Sequence, residues 1–274
     1  MSATAGEIHF VPRYVFKKNR LDISAGIKVS KLLANDQENG LYGSKEQYVY
    51  PDVRLSYILL PKSLKVYFKA DGGNRLDTYS SLIEGNHHIT HQLPQLKLDY
   101  TVERVALTAG FDGRITDLFS YNIRGGYANY ANMMTYGIAV AQTPSFFIDY
   151  VSSQKAFAAM DWVFSHRGVR FDGTVMYDHY FDLSSDQVLT PAAFHGNAAV
   201  EYSWRDRIIA GVDCNFATAS KGGCVIPGYA DLGVYAEYAT ARNLSFWLRA
   251  GNLLNMTIQR NPLYAEKGVN CTVG

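Results

Sequence analysis

Polar and apolar residues alternate along most of this chain with a period of two, in segments of about ten residues. In residues 21–29 every second side chain is apolar, and Asp, Ser, Gly or Lys stands between them. The pattern recurs at 64–71, 169–178, 197–205, 207–216, 231–239 and 243–251. Such alternation gives a β-strand one apolar face and one polar face. The sequence therefore predicts an all-β protein.

Short and long connecting segments alternate between the predicted strands. The short ones are polar, and each is predicted to close a hairpin; they are residues 17–20, 61–63, 113–117, 166–168, 205–207 and 240–242. The long ones carry much of the Gly, Pro, Asn and Ser; they are residues 32–46, 72–98, 131–154, 179–194, 217–228 and 252–266. Antiparallel strands joined in this way place all short turns at one end of a sheet and all long segments at the other.

These features together are typical of an antiparallel transmembrane β-barrel, whose apolar face meets lipid and whose polar face lines a lumen. The strands also exceed the five or six residues common in soluble sheets. Aromatic residues of the apolar face cluster near strand ends, where rings lie at headgroup level; they are Tyr14, Phe16, Phe164, Tyr177, Tyr202, Trp204 and Tyr238. The alternative is a soluble antiparallel β-sandwich with a binding role, in which the apolar face is a core.

The alternation assigns individual side chains to the two faces of the predicted barrel. Eight are expected to face lipid: Val200, Tyr202, Ile208, Val212, Leu232, Val234, Phe246 and Leu248. Four are expected to face the lumen: Glu201, Asp213, Glu237 and Arg249.

Counting the first strand as 7–16 and the last as 267–274 gives about thirteen strands, whereas bacterial barrels have an even number. With short turns in the periplasm, an odd count leaves the two chain ends on opposite sides of the membrane. The sequence therefore predicts a partial barrel, that is, one part of a larger barrel.

The C-terminal residues resemble one family. The run from Arg242 through Asn252-Leu253-Leu254-Asn255, followed by Asn261-Pro262-Leu263-Tyr264 and Lys267-Gly268, is similar to the penultimate strand, last loop and last strand of TonB-dependent outer-membrane receptors. In that family an Asn-Leu-(Phe or Leu)-(Asn or Asp) element follows the penultimate strand. The family has a 22-stranded barrel, an N-terminal plug and a TonB box. Nothing in this chain resembles the plug or the box. The resemblance therefore implies that residues 1–274 form a C-terminal barrel segment without a plug domain.

The resemblance implies a receptor barrel in the bacterial outer membrane that takes up a bulky nutrient such as a metal chelate, cobalamin or glycan. Expected partners are outer-membrane lipid and a small-molecule or glycan ligand at the outer loops. TonB would be reached only through a plug and box absent from this chain. A smaller porin, with water along the polar face, is the alternative from the channel class.

Charge and composition exclude other classes. With 26 Lys and Arg against 25 Asp and Glu, the net charge is +1, which gives no field to hold nucleic acid. Aromatic residues make up 14% of the chain and charged residues 19%. No apolar run approaches the length of a membrane-spanning helix. The first ten residues lack the basic and apolar regions of a secretory signal.

Histidine offers one candidate metal cluster. His87, His88 and His91 lie in one long segment, and Glu84 precedes them; three converging imidazoles with a carboxylate would suit zinc. A polar external loop is the simpler interpretation, and we favour it. The sequence therefore predicts no metal site and no cofactor.

The chain shows no pattern of a catalytic site. A Gly-x-Ser-x-Gly element is absent from the sequence, and His166, His179 and His195 lie in a turn or at strand ends, without a clear serine partner. We therefore expect no enzyme activity and no catalytic residues.

Three cysteines, Cys214, Cys224 and Cys271, are too few and too scattered for a disulfide scaffold. A bridge between Cys214 and Cys224 is conceivable, and an unpaired Cys214 on the apolar face is the favoured alternative.

Overall fold

The computed structural model describes residues 5–34, 47–85, 98–139, 145–181, 183, 188–205, 207–222, 224–240, 244–261 and 264–274. Those residues form sixteen strands and one short helix: β1 (Ala5–Phe10), β2 (Arg13–Lys18), β3 (Leu21–Ala34), β4 (Gln47–Leu60), β5 (Leu64–Leu76), α1 (Tyr79–Gly85), β6 (Tyr100–Ile115), β7 (Phe119–Ala139), β8 (Ser145–His166), β9 (Val169–Phe181), β10 (Phe194–Trp204), β11 (Ile208–Ala217), β12 (Ser220–Gly222), β13 (Cys224–Ile226), β14 (Tyr229–Ala239), β15 (Ser245–Gly251) and β16 (Asn270–Val273). The all-β prediction is confirmed.

Fourteen of the described strands form one antiparallel sheet in chain order, and β12 and β13 form a separate hairpin. β1 and β2 both pair with β3, at Val29–Ala34 and Leu21–Gly26. They are two halves of one strand that is interrupted at Pro12, which has no N–H to donate to the ladder. The sheet therefore has thirteen strand positions within the described residues, in agreement with the expected count.

The predicted apolar face is the exposed face of this sheet. Val200 and Val212 lie opposite each other and are each 45% exposed, and Phe246 and Leu248 are more than two-fifths exposed. A β-sandwich would cover such side chains with a second sheet. Within the described residues the second sheet is only the β12–β13 hairpin. The soluble-sandwich alternative is therefore wrong for the part of the chain that the structure describes.

The polar face is the concave face. A cavity of about 680 Å³ on this side is lined by residues of every strand from β2 to β8, including Arg13, Ser24, Arg54, Lys69 and Asp161. Seven consecutive strands can line one cavity only if the sheet curls toward it. The curl is that of a partial barrel whose charged face points inward.

The short connections lie at one end of the sheet, as predicted. Turns occur at Asn19 and Arg20, at 61–63 and at 167–168. The turn expected at 113–117 is shifted to 116–118, because β6 continues to Ile115 and pairs there with Phe119.

One predicted long connection is instead mostly strand. The segment 131–154 was expected to be a loop, yet β7 continues to Ala139 and β8 begins at Ser145. A register shift between Tyr130 and Met133 changes which side chains share a face, so the membrane-type alternation stops although pairing continues. At about 3.3 Å per residue these strands reach about 70 Å, far more than a bilayer requires.

Small buried cores occur in the half of the sheet near the long segments. One contains Leu32, Tyr100 and Val102, and the other contains Leu82 of α1 and Leu98. In the described part of the chain α1 is too short to cross a bilayer, and no helix there is long and apolar enough to do so.

Candidate ligand-binding site

Charged and polar side chains on the concave face form separate hydrogen-bonded groups, which together we call the concave network. Asp52 accepts hydrogen bonds from Arg13, and its other oxygen lies 3.7 Å from Arg54 Nε. Farther along the sheet, Arg124 pairs with Asp161, which also accepts a hydrogen bond of 2.8 Å from Thr174. Cross-strand register places these groups side by side because each strand contributes every second residue to this face.

Further groups of this kind lie on the C-terminal strands. Tyr235 donates a hydrogen bond of 2.6 Å to Glu201, and Arg249 lies 3.3 Å from Asp213. Glu201, Asp213 and Arg249 therefore share one face, as the alternation predicted. Glu237 pairs in register with Ile209 and Trp247, two residues from Tyr235 on the same strand, and thus belongs to the same face.

Asn252 fixes the long segment that follows β15. Its side chain is 2% exposed. The side-chain amide donates to the carbonyl oxygens of Met256 and Lys267, and its oxygen accepts from Met256 N–H. Asn252 and Asn255 both have a φ of 50°, a left-handed conformation that Asn tolerates well. The Asn-Leu-Leu-Asn element thus has a structural role in this chain, because its first Asn connects the start and the end of this segment by hydrogen bonds.

Residues of four of the long segments, together with Tyr229, line an open-sided cavity of about 460 Å³ at the far end of the sheet. We call it the mouth cavity. Its lining includes Met133, Met134, Thr135, Tyr136, Tyr180, Leu189, Thr190, Pro191, Thr218, Ser220, Ile226, Tyr229, Gln259, Arg260 and Asn261. Aromatic and aliphatic walls with a few hydroxyl and amide groups are typical of small-molecule sites of this size.

Backbone hydrogen bonds connect the segments that line the mouth cavity. Leu189 N–H donates to the carbonyl of Tyr136, and Thr190 N–H donates to the carbonyl of Lys221. Gly222 has a φ of 131°, and a Cβ at this position would collide with the Val188 carbonyl. Glycine is therefore required where the β12–β13 hairpin approaches residues 188–190.

The mouth cavity carries little net charge. Arg260 lies 2.8 Å from both Asp231 and Glu266, and its guanidinium sits over the Tyr229 ring at 5.4 Å. Burial and the nearby Asp178 raise the pKa of Tyr180 to about 12. Burial likewise raises the pKa of Tyr136. These phenols stay protonated at physiological pH and offer O–H donors rather than charges.

The histidines singled out from the sequence do not form a site in the described residues. His87, His88 and His91 lie outside them. His179 contacts Phe181 edge-on with ring centroids 4.6 Å apart, and His195 Nδ1 lies 3.2 Å from the carbonyl of Ala192.

All three cysteines are free thiols, so the Cys214–Cys224 bridge is not formed. Cys214 lies on β11 between Ala198 and Leu232, whereas Cys224 belongs to the β12–β13 hairpin. Burial raises the pKa of the Cys224 thiol, which keeps it protonated.

The sequence alone did not identify any ligand-binding residues. The composition of the mouth cavity explains this. Its residues come from positions 133 to 261 and have no common motif. The sequence shows only that these residues belong to long connecting segments, which by itself does not show that the segments converge.

Searches by sequence found no family model and no curated protein that matches this chain. Solved structures do match. The FrpB iron transporter from Neisseria meningitidis, in its F3-3 variant, has a TM-score of 0.68 at 10% identity, over 99% of this chain and 44% of that one. BauA, the ferric preacinetobactin receptor from Acinetobacter baumannii, has a TM-score of 0.68 at 12% identity, over 99% and 42%.

The ferric enterobactin receptor PfeA from Pseudomonas aeruginosa, solved as a mutant, has a TM-score of 0.62 at 12% identity, over 93% of this chain and 40% of that one. This chain has the fold of part of a TonB-dependent receptor barrel. The resemblance inferred from Asn252 to Asn255 is thus confirmed at the level of fold. The chain spans about two-fifths of the length of these receptors. All three are named as receptors or transporters.

Proposed function

We propose that this chain is the C-terminal barrel segment of an outer-membrane receptor that takes up a bulky nutrient, most simply a metal chelate. The observation that carries the proposal is the mouth cavity, which four long segments build at the end of a receptor-type barrel wall. Its volume lies within the range of small-molecule binding sites, and its phenol, amide and hydroxyl groups suit the rings and polar edges of a chelate. The three similar structures, two ferric-siderophore receptors and an iron transporter, favour a metal chelate over cobalamin or a glycan.

In this proposal the chain does no covalent chemistry. The exposed apolar face meets outer-membrane lipid, and the concave charged network meets water or a plug supplied from outside residues 1–274. TonB would act only through such a plug. The short turns lie in the periplasm, and the mouth cavity opens to the outside.

The uptake test compares two mouth variants with one variant on the apolar face. Cells that express the complete protein to which this chain belongs, or one of its variants, would be supplied with radiolabelled iron bound to catecholate, hydroxamate or citrate-type chelators. Tyr229→Ala and Arg260→Ala are expected to lower uptake of one of these chelates about tenfold, as for central contacts in other interfaces. Leu248→Ala should leave it unchanged. Equal uptake by all variants, at equal amounts in the outer membrane, would contradict the proposed site.

The topology test uses protease on intact cells. Cleavage is expected near residues 74–92 and 181–193, while 205–207 should be spared. Early cleavage at Arg205 or Arg207 would show that the barrel has the opposite orientation.

A further inference from the structure

Basic residues are concentrated at the short turns. Each of the six short segments contains at least one Lys or Arg, whereas only two contain Asp and none contains Glu. The six long segments carry more acidic than basic residues. A chain with a net charge of only +1 therefore has a basic end and an acidic end.

The structure places the basic side chains on an exposed rim. Six of them have no ion-pair partner among the described residues, and all six are exposed: Lys18, Arg20, Lys62, Arg167, Arg205 and Arg207. We call this set the short-turn rim. Because the described turns lie at one end of one sheet, their charges act on the same surface.

Three rim residues occupy backbone positions that ordinarily favour Gly or Asn. Lys62, Arg167 and Arg205 have φ values of 66°, 47° and 53°. A long side chain in the left-handed region costs about 1 kcal/mol relative to glycine. Local stability therefore does not explain the basic residues at these positions, which points to a role for their charge.

A row of exposed aromatic residues on the apolar face borders the rim. Each lies within five residues of a short turn: Phe16, Tyr57, Phe111, Phe171, Trp204, Tyr238 and Phe246. Arg205 connects the two features, since its guanidinium lies 5.0 Å from the Trp204 ring centroid. Exposed aromatic rings near the ends of membrane strands lie at the level of the lipid headgroups. The neighbouring rim side chains would therefore lie at the level of the headgroup phosphates.

We propose that the short-turn rim binds anionic glycerophospholipid headgroups and holds this end of the barrel in a phospholipid leaflet. The inference rests on the proposed function for the leaflet concerned, which is the periplasmic one. The charge complementarity does not depend on transport. Each basic residue near an anionic leaflet contributes about a fivefold gain in binding.

The test removes charge without disturbing the turns. The triple variant Lys62→Asn, Arg167→Asn and Arg205→Asn places a residue that tolerates the left-handed region at all three sites. The control triple variant removes equal charge from exposed residues away from the rim: Lys31→Gln, Arg104→Gln and Lys221→Gln. A third protein, with Lys62→Arg, Arg167→Lys and Arg205→Lys, keeps the rim charge.

The protein would be purified in mild detergent in the assembly in which it is extracted from membranes. Native mass spectrometry would count bound phosphatidylglycerol and phosphatidylcholine during titration. The unmodified protein and the charge-keeping variant should prefer phosphatidylglycerol at least tenfold, and added salt should reduce the preference. The Asn variant should lose most of it, and the Gln control should keep it.

Three results would overturn the proposal: no preference in the unmodified protein, an unchanged preference in the Asn variant, or an equal loss in the Gln control. Equal binding of soluble glycerol phosphate would show an anion site rather than a lipid surface. Stronger binding of lipopolysaccharide would assign the rim to the outer leaflet and contradict the periplasmic assignment. Uptake by the Asn variant, measured separately, distinguishes failure of this inference from failure of the proposed receptor function.

Discussion

The half of the sheet near the short turns and the half near the long segments are stabilised differently. Near the short turns, large apolar residues such as Phe111, Val200 and Phe246 are exposed. Near the long segments, Leu32, Leu98 and Tyr100 are completely buried. In the proposed receptor, lipid would surround the apolar side chains of the first half. The second half instead buries part of its apolar side chains within the protein, as a water-soluble domain does.

A row of register shifts lies between the two halves. Gly73 on β5 pairs with Glu103 on β6, which pairs with Tyr130 on β7, and each of the three ladders that these strands form has a register shift next to this row. Bulges redirect side chains and increase local twist. The shifts lie where the strands of a barrel would leave the bilayer and strict alternation is no longer required. Beyond the shifts, β7 and β8 continue with a different distribution of polar and apolar side chains.

The largest expected effect concerns the edges of the sheet. The β1 and β2 strand and β16 are the two edges of the described sheet, and each unpaired backbone group in hydrocarbon costs several kcal/mol. Refolded alone in detergent, residues 1–274 should therefore not give a compact, heat-modifiable monomer on gels. A monomer of that kind that also conducts ions in planar bilayers would favour the smaller porin.

A leucine truncation in each half compares their stabilisation directly. Leu32→Ala leaves a cavity in a closed core and should lower the free energy of unfolding by about 2 to 5 kcal/mol. Leu248→Ala should cost less, because lipid chains fill the space and only the transfer free energy is lost. Urea unfolding of the complete receptor in vesicles, followed by tryptophan fluorescence, measures both. A larger cost for Leu248→Ala would show that the two halves do not differ in this way.

A charge placed on either face tests the boundary between lipid and lumen. Val212→Arg should cost about 2 to 4 kcal/mol near mid-membrane and reduce assembly into the outer membrane. Asp213→Arg, at the next residue, points into the concave network and should assemble better. If both variants assemble equally in the complete receptor, the assignment of faces is wrong.

The smallest effect is expected from the concave ion pairs. Arg249 is more than half exposed beside Asp213, so Arg249→Gln should lower the free energy of unfolding by less than about 1 kcal/mol. Added salt should reduce the difference further. A loss of several kcal/mol in the same urea experiment would indicate that the network is desolvated, for example by a plug within the lumen.

The sequence by itself determined the features that depend on neighbours along the chain. Alternation through Val200, Glu201, Val212 and Asp213 assigned these side chains to opposite faces, because a strand has a period of two. Turn residues located the hairpins to within a few positions. The number of sheet positions followed from the same pattern, and the Asn-Leu-Leu-Asn element pointed to the family fold.

Only the tertiary structure decided the features that depend on distant segments. The mouth cavity joins Met133, Tyr180, Tyr229 and Arg260, and no local pattern specifies that four connections converge. Residues 131–154 were taken for a loop because alternation fails there, although backbone pairing continues. The alternation of polar and apolar residues depends on what surrounds each face of a strand, whereas backbone pairing depends only on the neighbouring strand. Strand pairing can therefore continue where the alternation stops.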